Sequence, residues 1–211
     1  MRTCWALAVA MGSLATAARA EDLLKLEYGP YHSGIGGEFM VTPVSGNSPG
    51  LVGMPADVSL ATLQTFCMQS DELIAAGETY RFVINTGTIS KGNIFDPIDP
   101  RTAYLYTYFR NGTLPGYDYG AGRVTSAGHL QDAVWFIENQ VFGVHNSFVD
   151  LADAAVGPGG VWEGKGIGSV RVLNLFDAER NDIQDQLTMV PAPGAAGLAM
   201  TAGVWAMRRR R

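Results

Sequence analysis

Short segments rich in aromatic and β-branched residues, separated by Gly-rich turns, predict β-strands at both ends of the chain. Residues 38–42 and 79–84 have this composition between turn signals. Residues 169–175 alternate between apolar and polar positions, which places Val170 and Val172 on one face. We therefore expect strands before and after the middle of the chain.

The middle of the chain shows helical spacing instead. Asp99 can cap a helix that begins at Pro100 and ends at Asn111 and Gly112. A second helix is expected to begin at Thr125 or Ser126, and a third at Ser147, which forms a capping box with Asp150. The last two helices each have one apolar face. In the second helix this face consists of Leu130, Ala133, Val134 and Ile137, and in the third it consists of Phe148, Leu151, Ala152 and Ala155.

This order of elements predicts an α+β fold, with a β-rich sandwich or barrel-like body and an inserted helical block. Residues 21–189 suit a single domain that can bury a substantial core. We see no internal repeat or heptad pattern in the sequence.

The first 20 residues have the pattern of a secretory signal peptide. Arg2 gives a positive start, an apolar run too short to span a bilayer follows, and Ala18, Arg19 and Ala20 form a small-x-small cleavage site. Cys4 would leave with this segment. Cys67 would then be the only cysteine of an exported protein, which excludes a disulfide within the mature chain.

Residues 190–211 have three parts: the sequence VPAPG, an apolar run, and four arginines at 208–211. The apolar run is short for a membrane span, but neighbouring residues can extend it, and the arginines favour the cytoplasmic side. This order resembles the PEP-CTERM sorting signal of bacteria with an outer membrane, with VPAP where VPEP is usual. The resemblance implies processing by an exosortase and delivery to the outer surface or extracellular matrix. A plain C-terminal membrane anchor is the alternative.

The part of the chain between these two ends is strongly acidic. Six of the 15 Lys and Arg residues lie in the ends, while all 20 Asp and Glu lie between them, so the formal net charge of residues 21–189 is −11. Phosphate recognition needs clustered Lys and Arg. The sequence therefore argues against nucleic acid as the partner.

The chemistry of the lone Cys67 has several possible explanations. One cysteine and three scattered histidines lack the spacing of a zinc site, and we expect no metal and no cofactor. A cysteine protease would need His129 or His145 as its base, but no protease signature surrounds Cys67. Asp96 and Asp99 could bind calcium, but the spaced ligand loop of a calcium site is absent. Asn111 begins a glycosylation sequon, but a turn after a helix explains this sequence as well.

Three short motifs occur in order around this cysteine. They are FCMQ at residues 66–69, LQDAVW at 130–135, and IQD at 183–185. In this order they resemble the motifs of bacterial surface thioester domains, with Leu130 where a threonine is usual. The resemblance implies an internal thioester between Cys67 and Gln184, with Gln131 ordering the site; Gln186 competes with Gln184 as the acyl donor.

These features together predict an exported protein that attaches covalently, once per molecule, to an amine-bearing partner. Such a protein would be no turnover enzyme. The alternative is a non-catalytic surface or matrix module with a buried structural cysteine, binding glycans through exposed aromatics such as Tyr117 and Tyr119.

Overall fold

A computed structural model describes residues 22–45 and 63–190 of the protein. The predicted signal peptide, and residues 191–211 of the predicted sorting signal, lie outside the described residues. Within the described part of the chain, no helix is long and apolar enough to cross a membrane.

Six strands form a mostly antiparallel sheet in the order β3-β2-β1-β4-β7-β8. Their bounds are β1 Leu23–Ser33, β2 Gly36–Ser45, β3 Leu63–Thr65, β4 Thr79–Asn85, β7 Val170–Phe176 and β8 Asp182–Met189. A separate two-stranded sheet contains β5 Gly87–Ser90 and β6 Ile94–Pro97. Three helices lie between β6 and β7 in the chain: α1 Pro100–Arg110, α2 Arg123–Ile137 and α3 Ser147–Val156. The predicted α+β class is confirmed, and the helical block is inserted between strands as expected.

The two edge strands of the large sheet meet just beyond the end of β3. Leu187 N–H in β8 donates to Phe66 O at 3.1 Å, and Met68 N–H donates to Asp185 O at 2.9 Å. Between these bonds, Cys67 and Gln186 form an antiparallel bridge. The sheet is therefore joined edge to edge, and we call the joined residues 66–68 and 185–187 the seam.

Two apolar clusters pack on opposite sides of the seam. Phe66 and Met68 belong to the cluster that contains the buried residues of the helices, whereas Cys67 belongs to the cluster that contains Leu24, Leu26 and Trp135. This division follows from strand geometry, because successive side chains point to opposite faces. The cysteine therefore faces the side of the sheet on which Trp135 of α2 packs.

A buried ion pair fixes the start of α2 against β2. The Nε and Nη2 atoms of Arg123 donate to the two carboxylate oxygens of Glu38 at 2.6 and 2.7 Å, and Tyr117 O–H donates to the same carboxylate at 2.6 Å. The Arg123 guanidinium also lies 4.0 Å from the centre of the Tyr31 ring. Removing one partner of such a buried pair typically costs about 3–5 kcal/mol.

The predicted start of α2 and the predicted cap of α3 were wrong, whereas α3 begins at Ser147 as expected. α2 begins at Arg123 rather than at Thr125 or Ser126, and the Ser126 hydroxyl instead accepts from Asp118 N–H at 3.0 Å. α3 is capped by Asn146 rather than by Ser147, because the Asn146 side chain accepts from Phe148 N–H at 3.0 Å. The Asp99 cap and Pro100 start of α1 are confirmed.

Candidate functional site

The seam brings two of the three sequence motifs together. Because Cys67 and Gln186 are bridge partners, Gln184, two residues earlier in β8, lies on the same face of the strand as both of them. All three side chains are buried. The third motif enters from α2, which packs against β1 and β2 and carries Gln131 to the backbone of Cys67.

The thiol of Cys67 contacts the side-chain carboxamide of Gln184. The distance from Sγ to Oε1 is 2.8 Å, although the two residues are 117 positions apart. The carboxamide carbon is one C=O bond of about 1.2 Å from that oxygen, so it lies within about 4 Å of Sγ. This separation is close to that of a pair of atoms poised for nucleophilic attack.

The amide nitrogen of Gln184 is held on its other side. Its Nε2 donates to the backbone carbonyl of Gln69, two residues after the cysteine. The carboxamide is therefore fixed with its oxygen at the thiol and its nitrogen on a backbone acceptor. Each end of the amide therefore has a hydrogen-bond partner within the protein.

The side-chain carboxamide of Gln131 forms two hydrogen bonds with the backbone of Cys67. Its Oε1 accepts from Cys67 N–H at 2.9 Å, and its Nε2 donates to Cys67 O at 2.8 Å. Gly37 N–H in β2 also donates to Oε1, at 3.4 Å. The carboxamide thus occupies the place that a neighbouring strand would take beside an ordinary strand residue.

Gln186 lies on the other side of the thiol. Its Nε2 donates to Sγ at 3.3 Å, and its Oε1 is buried without a hydrogen-bond partner among the described residues. The amide nitrogen of Gln186 therefore faces the sulfur, whereas Gln184 presents its carbonyl oxygen. This difference in orientation favours Gln184 as the acyl donor.

Burial dominates the electrostatics of the thiol. It raises the pKa of Cys67 to about 12, and the hydrogen bond from Gln186 opposes this shift. The thiol is consequently neutral at physiological pH and is fully shielded from solvent.

The carboxamide of Gln69 likewise forms two hydrogen bonds, with Asp185, the residue after Gln184. Its Oε1 accepts from Asp185 N–H at 2.7 Å, and its Nε2 donates to Asp185 Oδ2 at 3.3 Å. The Asp185 carboxylate also accepts from Asn174 Nδ2 at 2.6 Å and from Ile89 N–H at 2.8 Å. Burial raises the pKa of Asp185 to about 7 despite these hydrogen bonds. The network fixes the backbone of β8 immediately after Gln184.

Aromatic side chains pack on both faces of the seam. Phe66 is fully buried and packs edge-on against Phe109 with ring centres 4.9 Å apart. Trp135 is buried in the same apolar cluster as Cys67. Leu130, which stands where the resembled motif has threonine, is buried among the helices and provides no hydroxyl.

The other candidate residues do not join this site. His129 and His145 are exposed, and the side-chain partners of Cys67 in the described part of the chain are glutamines. The expectation that Tyr117 is an exposed aromatic was wrong, because it is buried on Glu38, and Tyr119 is half-buried. Asp99 caps α1, and residues 22–45 and 63–190 contain no cluster of three potential metal ligands.

Sequence reasoning named Cys67, Gln184 and Gln131 but missed the roles of Gln69 and Asn174. Gln69 stands inside the first motif, so its position was a signal, but its pairing with Asp185 was not visible. Comparisons of the chain with models of protein families, with curated proteins and with solved structures find no match.

Proposed function

We propose that the protein is an exported surface protein that attaches covalently to an amine-bearing partner through an internal thioester between Cys67 and Gln184. The observation that carries the proposal is the buried contact of 2.8 Å between Cys67 Sγ and the side-chain oxygen of Gln184. Gln131 supports it by holding the Cys67 backbone from both sides.

Thioester formation exchanges one acyl bond for another. The Cys67 sulfur attacks the carboxamide carbon of Gln184, a C–S bond forms, the C–N bond breaks, and the thiol proton leaves with the nitrogen as ammonia. The backbone carbonyl of Gln69 already binds this leaving nitrogen. Fixed geometry and burial favour this exchange over hydrolysis.

Attachment consumes the stored acyl group. The nitrogen of a primary amine attacks the same carbon, an amide forms, the C–S bond breaks, and the sulfur leaves as the Cys67 thiol after taking a proton from the nitrogen. The product is an isopeptide-type link at residue 184. Because the thioester is not regenerated, the protein acts once and is not a turnover enzyme.

The two ends of the chain place this chemistry outside the cell in our proposal. The signal-peptide pattern supports export, and the tail that resembles a PEP-CTERM signal supports processing by an exosortase-type enzyme at the inner membrane. The outer surface or extracellular matrix is then the site of attachment. The acidic composition of residues 21–189 argues against nucleic acid as the partner.

Labelling with a biotinylated primary amine tests the proposal and the choice of glutamine. We expect the wild-type protein to be labelled at residue 184, and Cys67→Ala and Gln184→Ala to be unlabelled. Gln186→Ala is the matched control, because it removes a neighbouring buried carboxamide on the same face of β8, and it should keep measurable labelling. Labelling that persists in Cys67→Ala would refute the thioester.

The complete burial of Cys67 also favours a second candidate function, a non-catalytic surface module in which the cysteine only fills space. This candidate predicts no amine labelling and one titratable thiol after unfolding. It does not explain why three glutamine carboxamides surround the cysteine.

A further inference from the structure

The sulfur of Cys67 has hydrogen bonds of two opposite kinds. The thiol donates to Oε1 of Gln184 at 2.8 Å, whereas Nε2 of Gln186 donates to Sγ at 3.3 Å. Gln184 is the acyl donor in the proposed thioester, so its carboxamide is consumed. Gln186 takes no part in the bond exchange, yet its N–H contacts the reacting sulfur. That contact therefore needs a separate explanation.

Backbone pairing on both sides of β8 places Gln186 opposite the cysteine. Gln186 pairs with Cys67 across the seam and with Leu173 of β7 on its other side. Side chains that are directly opposite in an antiparallel pair share one face and have Cβ atoms about 5 Å apart. The Gln186 side chain is fully buried there, and its Nε2 also donates to the backbone O of Gln184 at 3.4 Å. The fold therefore holds this amide N–H at the sulfur.

The other end of the same carboxamide has no such partner. Gln186 Oε1 is buried without a hydrogen-bond partner among residues 22–45 and 63–190. A buried acceptor without a partner destabilises a fold, whereas an apolar side chain of similar size, such as methionine, would not have this cost. Polar groups that break this rule are concentrated at functional sites. The carboxamide of Gln186 is therefore better explained by its N–H at the sulfur than by packing.

Negative charge develops on the sulfur in both steps of the proposed chemistry. The thiol gives up its proton as the sulfur attacks the acyl carbon, and the C–S electron pair returns to the sulfur when an amine displaces it. Burial opposes this charge, since it raises the pKa of Cys67 to about 12. The hydrogen bond from Gln186 acts in the opposite direction and lowers the same pKa. Such a bond to a charged acceptor is stronger in a buried site than in water.

We propose that Gln186 is a catalytic residue of this site, whose side-chain N–H stabilises the charge that develops on the Cys67 sulfur. The inference rests on the proposed thioester and assigns a role to a residue that the bond exchange does not consume. In formation, the C–S bond replaces the C–N bond, and the thiol proton leaves with ammonia. In attachment, a new C–N bond replaces the C–S bond, and the sulfur takes a proton from the attacking amine. Gln186 keeps all of its atoms in both steps, so it changes their rates and not their products.

The test measures both rates on the purified full chain of the wild type and of Gln186→Met. The gain of one methylamine, followed by intact mass, gives the rate of attachment. Ammonia attacks the thioester in the same way and restores Gln184 and the Cys67 thiol, so the loss of one ammonia after its removal gives the rate of formation. We expect Gln186→Met to slow both steps by about tenfold, less than the loss of an oxyanion-hole donor because sulfur is a weaker acceptor. The methylamine should still map to residue 184.

Two measurements separate a catalytic role of Gln186 from a structural one. Gln140→Met removes a carboxamide that accepts from Ser70 N–H at 3.0 Å and does not touch Cys67, so it should change neither rate. Urea unfolding of methylamine-treated samples, which have no cross-link, compares their stabilities. We expect the midpoint of Gln186→Met to equal or exceed that of the wild type, because methionine removes the unpartnered oxygen. Unchanged rates in Gln186→Met, slower rates together with a lower midpoint, or equal slowing in Gln140→Met would overturn the inference.

The wild type separates failure of this inference from failure of the proposed function. If its mass is lower by one ammonia and it reacts with methylamine, the thioester is present, and the variant rates decide the role of Gln186. If it has the full mass of the sequence and does not react, the thioester is absent and the inference falls with it. Methylamine mapped to residue 186 would also overturn the inference, because Gln186 would then be the acyl donor.

Discussion

At the scale of single residues, a glutamine side chain replaces backbone pairing at Cys67. The backbone hydrogen bonds across the seam are made by Phe66 and Met68, the neighbours of Cys67. The N–H and C=O of Cys67 itself are hydrogen-bonded to the side chain of Gln131. A carboxamide suits this role because it has a donor and an acceptor side by side. In the proposed reaction, Gln131 would therefore position Cys67 and would not itself react.

Gln131→Ala should prevent efficient thioester formation. It leaves two buried backbone groups unpaired, at about 1–3 kcal/mol each, and frees Cys67 from its position opposite Gln184. We expect the fraction of molecules whose mass is lower by one ammonia to fall by about tenfold or more, since small displacements of reacting groups have effects of this size. Intact-mass spectrometry of freshly purified protein measures this fraction.

Gln140→Ala is the control for this prediction. Gln140 also accepts from a backbone N–H near the cysteine, that of Ser70 at 3.0 Å, but does not touch Cys67. It should retain the thioester. If all molecules of Gln131→Ala had a mass lower by one ammonia, thioester formation would not need the two hydrogen bonds from Gln131 to Cys67.

Single residues of the site could be predicted only where a motif marked them. Cys67, Gln131 and Gln184 stand in recognisable short patterns. The hydrogen bonds between Gln69 and Asp185 join positions 116 residues apart and depend on the pairing of the two edge strands at the seam. No local pattern contains that information.

At the scale of elements, the seam is a short junction. Besides its two backbone bonds, Thr65 Oγ1 donates to Leu187 O at 2.7 Å. The Tyr106 hydroxyl of α1 lies 2.8 Å from Gln64 O in β3 and 3.2 Å from Leu187 O in β8. The Cys67–Gln184 thioester would be a covalent cross-link across this junction. Opening it should therefore loosen the link between the two edge strands.

Methylamine treatment should lower the free energy of unfolding of the wild-type protein. A cross-link between residues 117 positions apart removes chain entropy from the unfolded state, a contribution of about 4–5 kcal/mol by the loop-entropy relation. Urea unfolding before and after treatment measures the loss. Cys67→Ala, treated in the same way, should show no change, and an unchanged wild-type midpoint would contradict the cross-link.

Helices were easier to predict than strands. Asp99, Pro100 and the aromatic spacing of α1 are local signals, and the structure follows them. β1 was missed because Gly29 and Pro30 resemble a turn, whereas the structure accommodates them at a shift of register between Tyr28 and His32. β8 was missed because its buried residues include Gln184, Asp185 and Gln186, whose polarity hides a strand pattern.

At the scale of the whole molecule, the fold buries Cys67 and Gln184 between two apolar clusters. The helical cluster lies on one side of the seam, and the cluster with Cys67 and Trp135 lies on the other. The acidic composition, with a formal net charge of −11 for residues 21–189, also favours an approaching lysine-rich partner. Storage and selection would thus be properties of the same small body.

The most direct test of the thioester is the intact mass of the purified protein with and without methylamine. Our account predicts a native mass short by one ammonia, a gain of one methylamine on treatment, and a Cys67 thiol that becomes titratable after unfolding only in the treated sample. A native mass equal to that of the sequence, unchanged by methylamine and with Cys67 titratable after unfolding in both samples, would contradict it.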